Sequence, residues 1–420
     1  MASTMSRYLF FDNASTTRCH SRAVELLKRY ADEDFGNPSS SHAMGQRAAR
    51  AIREARLFFA QTFNVDPEQV IFTGSGSEAD NLAVYGIAMQ ALVKKHPTPP
   101  RVIASAIEHP AVRKTVQSLS PLGIDAQLAP VNTQAQIDRE KLLELVNEAT
   151  ALVSVHRVNN IVGSLLPVED LARECKQKNP HLVFHTDAVQ AFGKVEVPKS
   201  PSPVDLLSIS AHKIAGPKGI GALIVLNKKL LQGGIRPILW GGEQENGLRS
   251  GTQSAGLIAA FHAAAEETLK TREANHAHYL KLRDRLHARL LERKLIYDSR
   301  HDSRHDSRGG DSSAPLVWNS PADAVPYIVS LSVPGFPSGP LAKLLEERNC
   351  LVSTGSACSS QKMEPDPVLT AMGLPQPVRS SSIRVSFSCE NTLEDVDTLT
   401  RALADSISLM QQLLGGKPRK

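Results

Sequence analysis

Residues 181–213 read HLVFHTDAVQAFGKVEVPKSPSPVDLLSISAHK and contain two short apolar stretches that decide the fold. Residues 181–185 predict one strand and residues 206–210 another, and polar residues follow each of them. Similar stretches alternate with helical patterns of ~10–15 residues along the first two-thirds of the chain. This alternation predicts an α/β fold, in which a mostly parallel sheet is covered by helices on both faces. Ligands of such sheets bind beyond the carboxyl ends of the strands.

The last third of the chain has a different texture. Residues 257–295 predict one long helix, and residues 298–308 then read DSRHDSRHDSR, a four-residue unit repeated nearly three times. Two histidines four apart could ligate a metal on a helix, but so polar a run favours a solvated loop. We therefore expect residues 298–314 to be a disordered insert, and we expect no metal site. Strand patterns at 328–333 and 382–386, with a closing helix at 393–414, predict a smaller α+β unit.

These patterns divide the chain into two predicted domains. Residues 15–258 form a large ligand-binding domain, and residues 259–420 form a small C-terminal domain that residues 1–14 join.

The composition excludes several classes of protein. The 420 residues carry a formal net charge of only +5, without a clustered basic stripe, so we expect no direct contact with nucleic acid. No apolar run reaches the ~18 residues that a membrane span needs. The first residues have no apolar core of a signal peptide. Five cysteines without a C-x-x-C pattern argue against a disulfide scaffold or a zinc module. We therefore predict a cytoplasmic protein, in a reducing compartment.

The first candidate binding motif is Gly74-Ser75-Gly76-Ser77-Glu78-Ala79, between a predicted strand and a predicted helix. It fits the loose dinucleotide pattern, but no acidic residue follows at the ~20-residue spacing that would hold a ribose. Backbone N–H groups at a helix N-terminus, together with the Ser77 hydroxyl, would suit a single phosphate. A plain glycine-rich turn with a serine N-cap explains this motif alone about equally well.

Lys213 and Asp187 both follow predicted strands and are candidates for cofactor chemistry. A lysine that faces a cavity among glycine turns can form a Schiff base, although an exposed loop lysine is the simpler interpretation of Ser210-Ala211-His212-Lys213. A pyridine cofactor needs a carboxylate on its ring nitrogen, which Asp187 could supply. The alternative for Asp187 is a helix N-cap.

Cys358 is the candidate nucleophile, because it lies in the loop Gly355-Ser356-Ala357-Cys358-Ser359-Ser360. Such small, polar residues are poor core material, which favours a reactive thiol over a buried one. The other four cysteines are interpreted as structural: Cys19, Cys175, Cys350 and Cys389.

Together these residues resemble the cysteine desulfurases and selenocysteine lyases, pyridoxal-phosphate enzymes of the class V aminotransferase family. The resemblance runs from about residue 8 to residue 414. Its further marks are 11–17 (FDNASTT), 36–42 (GNPSSSH), 73–81, Glu108-His109, 158–160 (VNN), 249–252 (RSGT) and 382–384 (SIR). The resemblance implies the aspartate aminotransferase-like fold, with a seven-stranded, mostly parallel sheet in the large domain and a smaller α+β domain. Ile161 and Arg157 depart from the family, which commonly has a glutamate and a histidine at these positions.

The resemblance also assigns roles to individual residues. Lys213 would bind pyridoxal 5'-phosphate as a Schiff base, Asp187 would pair with the ring nitrogen, and His109 would stack on the ring and help to move protons. The residues placed near the ring hydroxyl are Gln190 and Asn160, and those placed at the phosphate are Gly76, Ser77, Ser210 and His212. Thr252 would reach the phosphate of a neighbouring subunit, which implies a homodimer with shared sites. Arg384, with Asn160, would bind the substrate carboxylate.

The implied reaction is removal of sulfur from L-cysteine, which leaves L-alanine and a persulfide on Cys358 that is passed to a sulfur-acceptor protein. Such sulfur would supply iron–sulfur clusters or tRNA thiolation. Selenocysteine lyase, with L-selenocysteine as substrate, and another enzyme of the same fold are the alternatives within this family. A non-catalytic binding subunit is the alternative outside it.

Overall fold

The structure is a computed structural model that describes residues 8–94, 98–296, 314–354 and 366–413. Its strands are β1 (Leu9–Phe10), β2 (Val70–Thr73), β3 (Arg101–Ser105), β4 (Asp125–Ala129), β5 (Thr150–Ser154), β6 (Val183–Asp187), β7 (Leu206–Ser210), β8 (Gly221–Val225), β9 (Val317–Trp318), β10 (Ile328–Ser332), β11 (Cys350–Leu351), β12 (Ser353–Thr354) and β13 (Ser382–Ser386). Its α-helices are α1 (Ser21–Asp32), α2 (Ala43–Phe63), α3 (Gly76–Val93), α4 (Pro110–Ser118), α5 (Arg139–Leu145), α6 (Val168–Lys178), α7 (Ala255–Glu292), α8 (Ser338–Glu347), α9 (Pro367–Ala371), α10 (Gln376–Arg379) and α11 (Leu393–Leu413).

Within these residues a seven-stranded sheet has the order β2-β8-β7-β6-β5-β3-β4. The pairs from β7 to β4 are parallel, and β8 runs antiparallel to both of its neighbours. The predicted α/β class and mostly parallel sheet are confirmed. All five residues of β6, β7 and β8 are buried, as expected for strands that helices cover on both faces, although β6 ends in the polar residues His185, Thr186 and Asp187.

Two apolar clusters cover the two faces of this sheet. Ile103, Val153 and Phe184 belong to the cluster that includes α2 and α7, whereas their neighbours in sequence, Val102 and Leu152, pack with α3 and α4. This alternation follows from the two-residue period of a strand.

The C-terminal part has a four-stranded antiparallel sheet, in the order β12-β13-β10-β9. β1 pairs with β11 in parallel, and Asp12 forms a bridge with Ser386 at the end of β13. The segment after β1 is thereby held between the smaller sheet and the carboxyl edge of the larger one.

The predicted long helix is α7, one continuous helix of 38 residues that packs on α1, α2 and α11. Because α7 runs across position 258, the boundaries 15–258 and 259–420 stay predictions. The expected insert at 298–314 lies outside the described residues, except for its last position.

Candidate active site at the carboxyl edge of the sheet

The parallel register brings the ends of four strands to one edge of the large sheet. Ser154 pairs with Ala104 on one side and with His185 on the other, and Asp187 pairs with Ser208. The residues that follow these strands therefore lie side by side: His109 after β3, Asn160 after β5, and Lys213 after β7.

Lys213 is anchored by the N-terminal segment. It ends a 3-10 turn, residues 211–213, that directly follows β7. Its Nζ donates hydrogen bonds to the carbonyl oxygens of Ala14, at 2.7 Å, and Ser15, at 2.6 Å. The lysine is half-buried rather than exposed in a loop, so the simpler alternative does not describe it.

Asp187 is the last residue of β6, two residues beyond the predicted strand end, and only 7% of it is exposed. Its Oδ1 accepts a hydrogen bond of 2.8 Å from the backbone N–H of Val189. Residues 189–194 form turns rather than a helix, so Asp187 is not a helix N-cap. Burial raises the pKa of this carboxyl to about 6; the Val189 bond and Lys213 oppose the rise. A cationic ring nitrogen would favour the ionised carboxylate further.

Gln190 lies close to both of these residues. Its Nε2 donates to the same Ala14 carbonyl oxygen that Lys213 contacts, at 2.8 Å. Its Oε1 is buried and has no hydrogen-bond partner in the described part of the chain. An unpaired buried acceptor of this kind is rare and suits a ligand hydroxyl group.

The glycine motif forms the start of α3. Ser75, not Ser77, is the N-cap, since its side chain accepts from the Glu78 N–H at 3.0 Å. Ser77 is exposed in the first helical turn, where its hydroxyl is not used for capping. A Cβ on Gly76 would lie 2.7 Å from Val189 Cγ2 and 3.1 Å from Ser210 Cβ, so glycine is needed for this close approach.

Ser210 faces this helix terminus with a buried hydroxyl that has no hydrogen-bond partner among the described residues. His212 is half-buried, and its Nδ1 lies 3.3 Å from Thr16 Oγ1. Burial and the nearby Lys213 lower the pKa of His212 to about 4, so this imidazole is neutral at pH 7. Helix N–H groups, an unpaired hydroxyl and a neutral imidazole make a chemically suitable site for one phosphate group.

His109 is the N-cap of α4, where its Nδ1 accepts a hydrogen bond of 3.2 Å from the Ala111 N–H. Burial lowers its pKa to about 4, with contributions from Lys213, His156 and Arg384. A neutral ring that accepts at Nδ1 carries its proton on Nε2.

Arg384 reaches this edge from the smaller sheet. It lies in the middle of β13, only 5% exposed, and its Nη1 donates to the backbone oxygen of Asn160 at 2.8 Å. Its Nη2 donates to Asp12 Oδ1 at 2.8 Å and to Ser15 Oγ at 2.7 Å. Its Nε is buried without a partner in the described ranges. The predicted carboxylate-binding arginine therefore lies beside the anchor of Lys213.

The comparisons with known proteins identify the family of this chain. The family model "Aminotransferase class-V" matches residues 9–309 and 311–399. This chain belongs to the class V aminotransferase family. It is 32% identical over 420 residues to the cysteine desulfurase IscS of Methanosarcina thermophila, a match that covers 100% of this chain and 96% of the relative.

Solved structures are similar to this chain over most of its length. A NifS-like protein has a TM-score of 0.84 and 32% identity, covering 96% of this chain and all of that protein. SspA in complex with cysteine has a TM-score of 0.74 and 29% identity, covering 90% of this chain and 98% of that protein.

Two residues assigned from the family resemblance are not found at this edge of the sheet: one lies on the surface, and the other falls outside the residues that the structure describes. Thr252 is exposed and lines a surface cavity of about 350 Å³ with Tyr30, Phe35 and Pro38. Its role towards a neighbouring subunit stays a prediction. Cys358 falls within residues 355–365, outside the described residues. Of the other cysteines, Cys175 and Cys350 are buried, and burial raises their thiol pKa values to about 12 and 11.

Sequence reasoning missed a second layer of buried polar residues beneath the edge. Glu108 and His156 form a pair with 3.0 Å between Oε1 and Nδ1. His185 lies in β6 between Ser154 and Ser208, at 2.8 and 2.9 Å. The available signal was a polar side chain at or just beyond the end of an apolar strand, the same signal that marked Asp187.

Proposed function

We propose that this chain is a pyridoxal-phosphate-dependent cysteine desulfurase, which takes sulfur from L-cysteine and releases L-alanine. The observation that carries the proposal is the meeting of Lys213, Asp187 and the unpaired Ser210 hydroxyl at one sheet edge, with Arg384 opposite them. Family membership and the desulfurase names of the relatives support the same reaction.

The residues present fit the cofactor. Ser210 and the N–H groups of α3 at Gly76 and Ser77 would hold its phosphate, and His212 would contribute as a neutral neighbour. Asp187 would pair with the pyridine nitrogen, Lys213 would bind the aldehyde carbon, and Gln190, Asn160 and His109 would surround the ring. When bound, pyridoxal phosphate supplies an electron sink that stabilises negative charge at the substrate Cα.

Lys213 would remove the Cα proton of the substrate. The carbonyl oxygens of Ala14 and Ser15 hold its Nζ, which limits the freedom of the side chain. His109 would supply or accept a proton at Nε2, since Nδ1 is used for capping α4.

Arg384 would bind the substrate carboxylate through two parallel N–H donors. Asp12, Ser15 and the Asn160 carbonyl group hold the guanidinium group before substrate arrives, and the carboxylate would take the place of the Nη2 contacts with Asp12 or Ser15 to gain two donors. This arrangement favours α-amino acids with a free carboxylate.

Sulfur transfer would use the Cys358 thiolate. It attacks the sulfur of L-cysteine and forms the new S–S bond, while the carbon–sulfur bond breaks and its electron pair stays with the carbon skeleton. A proton taken up at Cβ then gives L-alanine, and the persulfide remains on Cys358. This sequence needs no external oxidant or reductant, because the carbon skeleton keeps the electron pair of the carbon–sulfur bond and is reduced, while the transferred sulfur is oxidised to the sulfane level.

The finer parts of the proposal concern partners. We propose a homodimer in which Thr252 of one subunit approaches the phosphate of the other, and a sulfur-acceptor protein that takes the persulfide. Within the described ranges, no helix is both long and apolar enough to cross a membrane. A cytoplasmic location remains part of the proposal.

The test is incubation of the full chain with pyridoxal phosphate and L-cysteine, followed by mass spectrometry of the peptide that contains Cys358. A mass gain of one sulfur atom, with release of alanine, is expected in the wild type and not in Cys358→Ala. Loss of the visible cofactor band in Lys213→Ala would support the lysine assignment. A wild-type protein that stays colourless with added pyridoxal phosphate would refute the proposal.

The same assay with L-selenocysteine distinguishes a cysteine desulfurase from the alternative, a selenocysteine lyase. Selenocysteine turnover that survives in Cys358→Ala, while cysteine turnover is lost, would show that the thiol is required only for sulfur.

A further inference from the structure

The Glu108–His156 pair is not used in the proposed reaction, yet it lies against Asp187. The parallel register aligns Ser154 with His185, so His156 lies alongside Asp187 at the strand ends. A backbone hydrogen bond of 2.9 Å from the Arg157 N–H to the Asp187 carbonyl oxygen fixes this alignment. The chain thereby places Glu108 after β3, His156 after β5 and Asp187 at the end of β6, at the same edge of three adjacent strands.

The pair is closed to solvent and held firmly. The side chains of His156 and Glu108 are 4% and 0% exposed. Glu108 Oε1 accepts from the backbone N–H of His156 at 2.8 Å and lies 3.0 Å from its Nδ1. A buried carboxylate that binds both the backbone and the ring of one histidine fixes the orientation of that ring.

Each partner also has an unused polar atom. Glu108 Oε2 and His156 Nε2 are both buried, and neither has a hydrogen-bond partner in the part of the chain that the structure describes. Such groups carry a desolvation cost, so their presence beside a cofactor carboxylate calls for a functional explanation.

We propose that Glu108 and His156 are positioning residues for Asp187: Glu108 holds the imidazole of His156, and His156 keeps the Asp187 carboxylate ionised for the cofactor. The inference rests on the proposed function, because the ionised carboxylate matters only if a pyridine nitrogen binds it. Neither residue contacts the substrate.

The electrostatics around Asp187 support opposite contributions from the two partners. Glu108 raises the pKa of Asp187, whereas His156 lowers it. Lys213, after β7, also lowers the pKa of this carboxyl, and Asp80 on α3 is a further acidic group close to it. Burial raises the pKa of Asp80 well above its ordinary value, and the nearby Asp187 and Glu108 carboxyl groups raise it as well.

The test measures the dissociation constant of pyridoxal phosphate as a function of pH, for the wild type, His156→Gln, Glu108→Gln and the double variant. Binding should weaken as falling pH protonates Asp187. The quantity compared is the pH at which the affinity for pyridoxal phosphate has fallen to half of its value at high pH, called here the pH of half-weakening. His156→Gln leaves the repelling Glu108 and should move this pH up by on the order of one unit, the size of effect that one nearby unit charge has on a pKa inside a protein. Glu108→Gln should move it down, and the double variant should return it close to the wild type.

His262→Gln is the matched control, since this half-buried histidine packs on Phe58 between α2 and α7. It should leave the pH of half-weakening unchanged. Circular dichroism checks folding, and His156→Asn replaces His156→Gln if the latter does not fold. A purely structural pair would weaken binding in both single variants without opposite shifts in pH, and that result would overturn the inference.

The two failures are distinguishable. If the wild type neither binds pyridoxal phosphate nor releases alanine from L-cysteine, the proposed function is wrong. If the wild type does both, and the pH of half-weakening in His156→Gln stays at the wild-type value, only the role of the Glu108–His156 pair is wrong.

Discussion

The ion pair between Arg56 and Glu245 protects the edge of the large sheet, and its removal tests how much that protection stabilises the fold. β2 is the edge strand, and its Phe72 N–H donates to Glu245 Oε2 at 2.9 Å. Arg56 binds Glu245 with two bonds, at 2.9 and 2.7 Å, and also donates to the Val70 carbonyl oxygen. The pair therefore satisfies backbone groups that an unprotected edge would expose.

Glu245→Gln keeps the shape of the side chain but removes its charge. The Glu245 side chain is 1% exposed and that of Arg56 is 17% exposed, so the guanidinium group would be left with little water to compensate it. Breaking a buried pair in this way costs about 3–5 kcal/mol, and the residual exposure of Arg56 places the expected loss near the lower end. Replacing both residues, in Arg56→Met with Glu245→Gln, should cost less than the sum of the two single changes.

The assay is urea unfolding of the wild type, Glu245→Gln, Arg56→Met and the double variant. Hydrogen exchange at the Phe72 amide is measured as well, and this amide should exchange faster in Glu245→Gln. Glu243→Gln is the matched control, because Glu243 is exposed two residues away and its loss should change stability by no more than about 0.5 kcal/mol. Equal unfolding midpoints for Glu245→Gln and Glu243→Gln, or strict additivity in the double variant, would refute the reasoning.

Three further predictions concern the site and the acid stability of the chain. Gly76→Ala should lose about 1–3 kcal/mol of stability by overpacking and bind pyridoxal phosphate more weakly in a fluorescence titration, whereas Gly339→Ala, which has open space around its Cβ, should do neither. Arg384→Lys should raise KM for L-cysteine by about tenfold or more while the cofactor spectrum stays unchanged, because an ammonium group cannot bind a carboxylate in bidentate fashion. Arg285 and Arg289 on α7 bind Asp397 and lower its pKa to about 2. These ion pairs therefore stabilise the fold above the ordinary carboxyl pKa, and their contribution is lost as pH falls towards 2. Urea midpoints of Asp397→Asn should therefore lie below those of the wild type at neutral pH and converge with them at about pH 2; a constant difference would contradict this.

Much of the fold could be predicted because the buried strands appear in the sequence directly. The strand over 206–210 matches β7, and the strand over 382–386 matches β13, because short segments rich in apolar or alternating apolar residues favour a strand. The strand predicted at 181–185 is displaced by two residues, because Thr186 and Asp187 remain in the ladder opposite β7. Polar side chains at a strand end do not show in the sequence whether the backbone still pairs.

The sequence by itself determined the chemistry available to this protein: which residues follow strands, which glycine opens α3, and which cysteine lies among small polar residues. Only the tertiary structure decided which of these meet. The anchoring of Lys213 by Ala14 and Ser15 and the contact of Arg384 with Asp12 join residues about 200 and 370 positions apart. The pairing of Glu108 with His156 likewise depends on strand register, which local pattern does not encode. Local sequence sets the period and the ends of each element, whereas contacts between distant segments arise from the packing of whole elements around a shared core.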